Sequence, residues 1–133
     1  MTNKELSQLY HLNREITEQQ RRLAELESLA TSCASRRITG MPSSKALVDK
    51  VADYAIEMAE LRTLIDLNLK KCFYELNRLT RYINAVDDSI MRQILSLRHI
   101  NGLSWVQIAF SLGGGNTADG VRMLHKRFLE KNS

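Results

Sequence analysis

The chain has 133 residues, of which 44% are hydrophobic and 26% are charged, a balance typical of one or two small globular domains. No run of 18 apolar residues occurs, and the first residues lack the apolar core of a secretory signal, so we expect no membrane span and a cytoplasmic location. Residues 1–86 carry 13 basic and 11 acidic side chains, and residues 87–133 carry six and four. This mild positive charge permits nucleic acid as a partner without requiring it.

Residues that interrupt helices are scarce in the first hundred positions, where only Gly40 and Pro42 occur. This scarcity favours long helices over a sheet with many turns. We therefore predict an all-α fold in which a long, coiled-coil-like helical hairpin at 1–86, with a loop at about 32–44, precedes a tri-helical helix-turn-helix unit at 87–133.

The first helix is predicted to begin at Thr2, which forms a Ser/Thr-x-x-Glu capping box with Glu5. Its apolar seam repeats every seven residues, with one polar interruption at Gln19. The seam comprises Leu9, Leu12, Ile16, Gln19, Leu23, Leu26, Ala30 and Cys33.

The second helix is predicted to begin after Pro42, with Ser43 or Ser44 as its N-cap, and to continue for roughly 40 residues. Its seam repeats strictly every seven residues at Val51, Met58, Ile65, Cys72, Leu79 and Val86. The companion positions are Tyr54 and Leu61, followed by Leu69, Leu76 and Ile83. We expect the two helices to pack antiparallel. Because the first is shorter, part of the long seam is left for a second subunit, which favours a homodimer.

Three short helices are predicted after Val86. Asp87 or Asp88 caps the first, which buries Ile90, Ile94 and Leu97, and Asn101-Gly102 ends it. The second has a capping box at Ser104 and Gln107 and an inward face of Trp105, Ile108, Ala109 and Leu112. After three glycines, Asn116 or Thr117 caps the third, which packs through Val121, Leu124 and Phe128 and carries Arg122, Lys126, Arg127 and Lys131.

The second and third of these short helices have the features of a helix-turn-helix. Ala109 is small enough for a close helix crossing, and Gly113 permits the sharp turn that follows. The basic side of the last helix would then face the major groove of DNA. The alternative is a three-helix packing module with no role in DNA binding.

The stretch VDDSIMRQILSLRHINGLSWVQIAFSLG resembles the region-four helix-turn-helix of bacterial sigma factors. With ITGMPSSKALVDKVADYAIEMAEL before it and VRMLHKRFL after it, the chain is similar over roughly residues 38–130 to small phage and prophage proteins of low-GC Gram-positive bacteria. These are related in appearance to the RinA and ArpU late-gene regulators. The resemblance implies a phage-encoded transcriptional regulator that acts at promoters of the host RNA polymerase.

The candidate DNA contacts lie on the third short helix and at its start. Arg122, Lys126 and Arg127 supply positive charge, and the Thr117 hydroxyl together with the helix N-terminus suits a phosphate. His125 fits a groove contact and a packing role equally well. The segment GGGNTADG is about two residues longer than the sigma-factor turn and places Ala118 where a basic residue is usual.

The leading functional prediction is a non-enzymatic regulator that binds double-stranded DNA, with the hairpin mediating dimerisation or contact with host RNA polymerase. The alternative is a protein-interaction module that binds a polymerase subunit, a repressor or another regulator. An enzyme is disfavoured, since Gly113–Gly115 lacks the Lys-Ser/Thr of a phosphate loop and no nucleophile–base pair stands out. We expect no cofactor and no metal ion.

Overall fold

The computed structural model describes residues 1–38 and 45–132, apart from the side chains of 34–38, 45 and 47, and every regular element in these ranges is helical. The predicted all-α fold is confirmed. The N-cap predicted at Ser43 or Ser44 lies outside the described residues. The helices are α1 (Asn3–Leu6), α2 (Gln8–Ile38), α3 (Lys45–Asn84), α4 (Ser89–Leu95), α5 (Trp105–Leu112) and α6 (Ala118–Asn132), with a π-helical turn (Ser96–Ile100) directly after α4.

Contacts divide the chain into two compact units, which we call the central unit (14–70) and the terminal unit (1–13 and 71–133). This division differs from the predicted boundary between residues 86 and 87. The physical reason is that Leu6 and Leu9, at the start of the chain, belong to the same buried cluster as Ile94 and Ile108. The first 13 residues are therefore part of the C-terminal core.

Helix α2 presents the predicted seam. All of the seam positions are buried or half-buried, whereas the other positions between Leu9 and Cys33 are exposed. The loop predicted from about residue 32 was placed too early, because α2 continues to Ile38. Residues 32–37 contain no glycine or proline, so their ordinary helix propensity lets the helix continue.

In the central unit, α2 and α3 pair within one chain. The Asn68 Nδ2 atom donates to the Gln19 Oε1 atom at 3.1 Å, and Arg62 forms an exposed ion pair with Glu27 at 3.4 Å. Because a later residue of α2 contacts an earlier residue of α3, the two helices run antiparallel, as the sequence predicts.

The observed seam of α3 differs from the predicted one at the position where Asn68 pairs with Gln19. Leu69 was predicted to lie in the seam, but its side chain is 42% exposed, whereas Asn68 is only 6% exposed. The companion position thus keeps the seven-residue spacing of Tyr54 and Leu61 and falls at residue 68, not at residue 69. Gln19 makes this possible, since it supplies the hydrogen bond that a buried amide needs.

The terminal unit begins with the capping box of α1, which is confirmed: the Thr2 hydroxyl accepts from the Glu5 backbone N–H, and the Glu5 carboxylate accepts from that of Thr2. Its core draws on every helical segment of the unit. The buried members are Leu6, Leu9, Leu79, Ile83, Met91, Ile94, Leu95, Ile108, Ala109 and Val121.

Helix α4 begins at the predicted cap, since the Asp88 carboxylate accepts from the Ile90 N–H at 3.0 Å. Of its predicted inward residues, Ile94 is buried and Leu97 is half-buried against the core, but Ile90 is not. Met91, Ile94 and Leu95 are buried, and the side chain of Ile90 is 55% exposed. The predicted burial of Ile90 was wrong because the face follows i, i+3, i+4 spacing from Met91, which leaves Ile90 on the solvent side.

Candidate nucleic-acid interface

Helix α5 begins at the capping box that the sequence predicts. The Ser104 hydroxyl accepts from the Gln107 N–H at 3.2 Å, and the Gln107 side-chain oxygen accepts from the Ser104 N–H at 2.9 Å. Ile108 and Ala109 are buried, while Trp105 and Leu112 are half-buried against the core. The predicted capping box and inward face are confirmed.

A π-helical turn, which the sequence analysis missed, leads from α4 towards α5. The Asn101 N–H donates to the Ser96 carbonyl at 3.0 Å, five residues earlier, and Gly102 then has φ +69°. The left-handed conformation at Gly102 agrees with the predicted helix end, because glycine has no Cβ to clash there.

Arg98 lies in this π-helical turn and reaches the start of α5. Its Nη1 atom donates to the Leu103 carbonyl at 3.0 Å, and its guanidinium carbon lies 4.3 Å from the centroid of the Trp105 ring. A guanidinium over an indole face is a favourable cation–π arrangement. Arg98 is therefore held in place beside the α5 N-terminus.

The turn between α5 and α6 is built from the predicted glycines. Gly113, Gly114 and Gly115 all have positive φ, between 63° and 79°. Of the two predicted caps for α6, Thr117 takes the role, since its Oγ1 atom accepts from the Gly120 N–H at 3.0 Å. Asn116 instead donates from its amide to the Gly113 carbonyl at 2.7 Å, which closes the turn.

Three of the predicted contact residues, Arg122, Lys126 and Arg127, have exposed side chains on α6. The Arg122 Nη2 atom is 3.8 Å from the Asp119 Oδ1 atom, and the Asp119 side chain is 92% exposed. A solvent-exposed pair at this distance contributes little, so Arg122 remains available to another anion. Thr117 is also exposed, at the N-terminal end of the same helix.

The inward face of α6 differs from the predicted set of Val121, Leu124 and Phe128. Val121 is buried and Phe128 is half-buried, but Leu124 is 40% exposed. His125 takes the inward place, because i+4 from Val121 points at the core, whereas i+3 falls at its edge. The burial of Leu124 was predicted wrongly.

His125 lies in the core and not on the exposed side of α6. It is 5% exposed, and its Nε2 atom is 2.9 Å from the Nε2 atom of His99, which is also 5% exposed. The Trp105 ring lies 5.0 Å from the His125 ring. Of the two roles left open for His125 by the sequence, packing is the one that the structure shows, and His125 is removed from the set of groove contacts.

Burial controls the protonation of this histidine pair. Desolvation, together with the positive charge of His125 and Arg98, lowers the pKa of His99 from 6.5 to about 4. Desolvation, followed by the charge of Arg98, lowers the pKa of His125 to about 4 as well. Both rings are therefore neutral at pH 7, and one N–H can donate to the other ring nitrogen.

A cavity of about 740 Å³ opens in the terminal unit beside the exposed side of α6. It adjoins the π-helical turn, the start of α5 and one side of α6. Its charged lining residues are Arg98, Arg122, Lys126 and Glu130. Arg122 and Lys126 were predicted from the sequence but Arg98 was not, because nothing in the linear order places the π-helical turn beside α6.

Comparisons with protein-family models, curated proteins and solved structures gave no match. Within the described ranges, no cluster of three or more His, Cys, Asp or Glu side chains is arranged to hold a metal ion. A search of the same ranges for a helix of the length and apolarity needed to cross a membrane found none.

Proposed function

We propose that this chain is a DNA-binding transcriptional regulator in which α5, the glycine turn and α6 act as a helix-turn-helix. The exposed side of α6 enters the major groove, and Arg122, Lys126 and Arg127 contact phosphates or base edges. Thr117 binds a phosphate at the N-terminal end of this helix. The chain acts without catalysis.

One observation carries this proposal: α6 packs through one side and carries three exposed cations elsewhere on its surface. Val121 and His125 are buried in the terminal unit, whereas Arg122, Lys126 and Arg127 point to solvent. A helix held by its apolar side with cations on the other is suited to binding the anionic surface of a duplex. Arg98 adds a fourth cation beside the α5 N-terminus.

The finer parts of the proposal come from the sequence resemblance to phage sigma-region-four-like proteins. We propose a phage-encoded regulator that works in the cytoplasm of a bacterial host at promoters of the host RNA polymerase. The paired helices α2 and α3 mediate homodimerisation or polymerase contact. Two copies joined in this way gain avidity from neighbouring half-sites, which offsets the small charge of one copy.

The proposal is tested by titrating a fluorescently labelled duplex at about 50, 100 and 200 mM salt, a range over which affinity that depends on phosphate contacts falls steeply. The variant Arg122→Ala/Lys126→Ala is expected to bind about tenfold or more weakly and to reduce the salt slope by about two, because each lost phosphate contact releases about one fewer counterion. The control is Lys50→Ala/Lys70→Ala, which removes the same charge from exposed positions of α3. Equal affinity and slope for wild type and the α6 variant would contradict the proposal.

A second candidate function is supported by α5. Val106 and Phe110 lie one turn apart on its outer side and are 68% and 88% exposed. An exposed apolar pair of this kind suits a protein partner, such as a polymerase subunit or a repressor, better than it suits DNA. A partner captured from nuclease-treated host lysate and lost on Phe110→Ala would favour this function.

A further inference from the structure

The cavity beside α6 has a charge that its own residues do not balance. Arg98, Arg122 and Lys126 line it with three positive charges, and Glu130 contributes the single carboxylate among its described lining residues. Three histidines line the cavity: His99 and His125 are held neutral by burial, and His11, near the start of α2, is exposed. The lining thus carries a formal charge of about +2 at pH 7.

The groups that hold these cations in place leave them accessible to a ligand. Arg98 is fixed by the Leu103 carbonyl, which is neutral, and by the Trp105 ring. Among the described residues, the ion pair of Arg122 is the 3.8 Å contact with the exposed Asp119. Lys126 is exposed, and no ion pair to it occurs within the part of the chain that the structure describes.

The cavity is also larger than an inorganic anion requires. Its volume of about 740 Å³ falls in the range of sites for small organic ligands, roughly 300–1,000 Å³. Tyr10 also lines the cavity, and its ring lies 3.7 Å from the position that a Cβ on Gly102 would occupy. Its side chain is 43% exposed, so it offers an aromatic surface to an organic group.

From this arrangement we infer that the cavity binds a small phosphate monoester that carries an aromatic group, the class to which nucleoside monophosphates belong. The dianionic phosphate matches the charge of +2 and binds Arg98, Arg122 and Lys126, and the aromatic group lies against Tyr10. This site goes beyond the proposed function, because it recognises a small molecule whether or not the protein binds DNA.

The inference is tested with adenosine 5′-monophosphate as the probe, titrated into the full chain at physiological salt. Trp105 is the single tryptophan of the sequence and lines the cavity, so its fluorescence reports on binding, with calorimetry as a second readout. We expect saturable binding with a Kd below about 1 mM. Adenosine and inorganic phosphate are each expected to bind at least about tenfold more weakly, since each lacks one half of the ligand.

Two variants of α6 separate this site from general charge attraction. Lys126→Gln removes a lining cation and is expected to weaken binding of the probe about tenfold, whereas Arg127→Gln removes an equal charge outside the lining and is expected to change it less than about twofold. Equal losses in the two variants would overturn the inference. So would the absence of saturable binding by wild type up to about 10 mM, a concentration roughly tenfold above the expected upper limit of the Kd. Equal affinity for inorganic phosphate and the monophosphate would overturn the role of the aromatic group.

The outcome is independent of the proposed function. Duplex binding by the same wild-type protein, measured without the probe, reports on DNA recognition alone. Loss of probe binding with intact duplex binding would remove this inference and leave the proposed function standing. Binding of the probe without duplex binding would remove the proposed function and leave this inference standing.

Discussion

Acidification from pH 7 to pH 4 is expected to destabilise the terminal unit through the buried pair of His99 and His125. The pKa of each ring is lowered from 6.5 to about 4 in the folded chain, so the unfolded chain takes up protons first as the pH falls. The stabilisation is fully present above about pH 6.5 and is lost progressively between pH 6.5 and pH 4. By linkage the loss amounts to up to about 3 kcal/mol for each histidine.

Urea unfolding followed by circular dichroism at pH 7, 6 and 5 measures this effect. The double variant His99→Leu/His125→Leu is expected to show a flatter dependence of unfolding free energy on pH, because no imidazole is left to protonate. His11→Gln, which removes an exposed histidine, is the matched control and is expected to keep the wild-type slope. The same slope for the double variant and wild type would show that the pair does not govern the response. If the double variant fails to fold, the imidazole resonances of wild type provide the check, since two of them should stay unshifted between pH 7 and pH 5.

Truncation of Ile108 is expected to give the second large effect. Its side chain is completely buried where α5 meets the core of the terminal unit. Ile108→Ala removes three carbon atoms and leaves a cavity, which typically costs about 2–5 kcal/mol of the unfolding free energy. Because a domain of this size is stabilised by roughly 5–15 kcal/mol, the variant should show a clearly lowered melting temperature.

The control for this truncation is Val106→Ala, two residues earlier on the same helix. The Val106 side chain is 68% exposed, so its loss is expected to change stability by less than about 0.5 kcal/mol. Thermal unfolding of both variants decides the matter. Similar melting temperatures for the two would show that Ile108 is not in the core.

Features of the fold that depend on neighbours in sequence were predictable. The caps at Thr2, Asp88 and Ser104 each need a short polar side chain and a backbone N–H two or three residues later, all of which can be read along the chain. The left-handed turn at Gly102 is of the same kind. The α2 seam was also predictable, because it repeats over four heptads. The single polar position, Gln19, does not obscure a repeat of that length.

Features that depend on contacts distant in sequence were not predictable. Asn68 reads as a surface residue until Gln19 is placed opposite it, which explains why Leu69 was chosen for the seam. In a helix of seven residues such as α4, two turns leave the inward face uncertain by one position, and Ile90 was misplaced for that reason. In the longer α6, Leu124 lies at the edge of the buried face and was predicted to point inward in place of His125, whose partner is distant in sequence. The packing of residues 1–13 with the C-terminal core has no signal in the local pattern.

The same distinction between local and distant contacts applies to the candidate site. The exposed cations of α6 were identified because a basic stripe beside an apolar face is visible in the sequence. The role of His125 was left open between packing and groove contact, because its partner His99 lies 26 positions away. Arg98 joins α6 at one cavity only through the π-helical turn and Gly102, and π-helical turns have no reliable sequence signal.

The central claim, that the exposed side of α6 binds DNA, is tested most directly by amide chemical-shift mapping of the isotope-labelled protein against a short duplex. We expect the largest shifts at Thr117, Arg122, Lys126 and Arg127, with smaller ones at the α5 N-terminus. Phe110, on the outer side of α5 beyond its first turn, is expected to be unaffected. Shifts that are largest at Phe110, or no saturable shifts in α6 at low salt, would contradict the account.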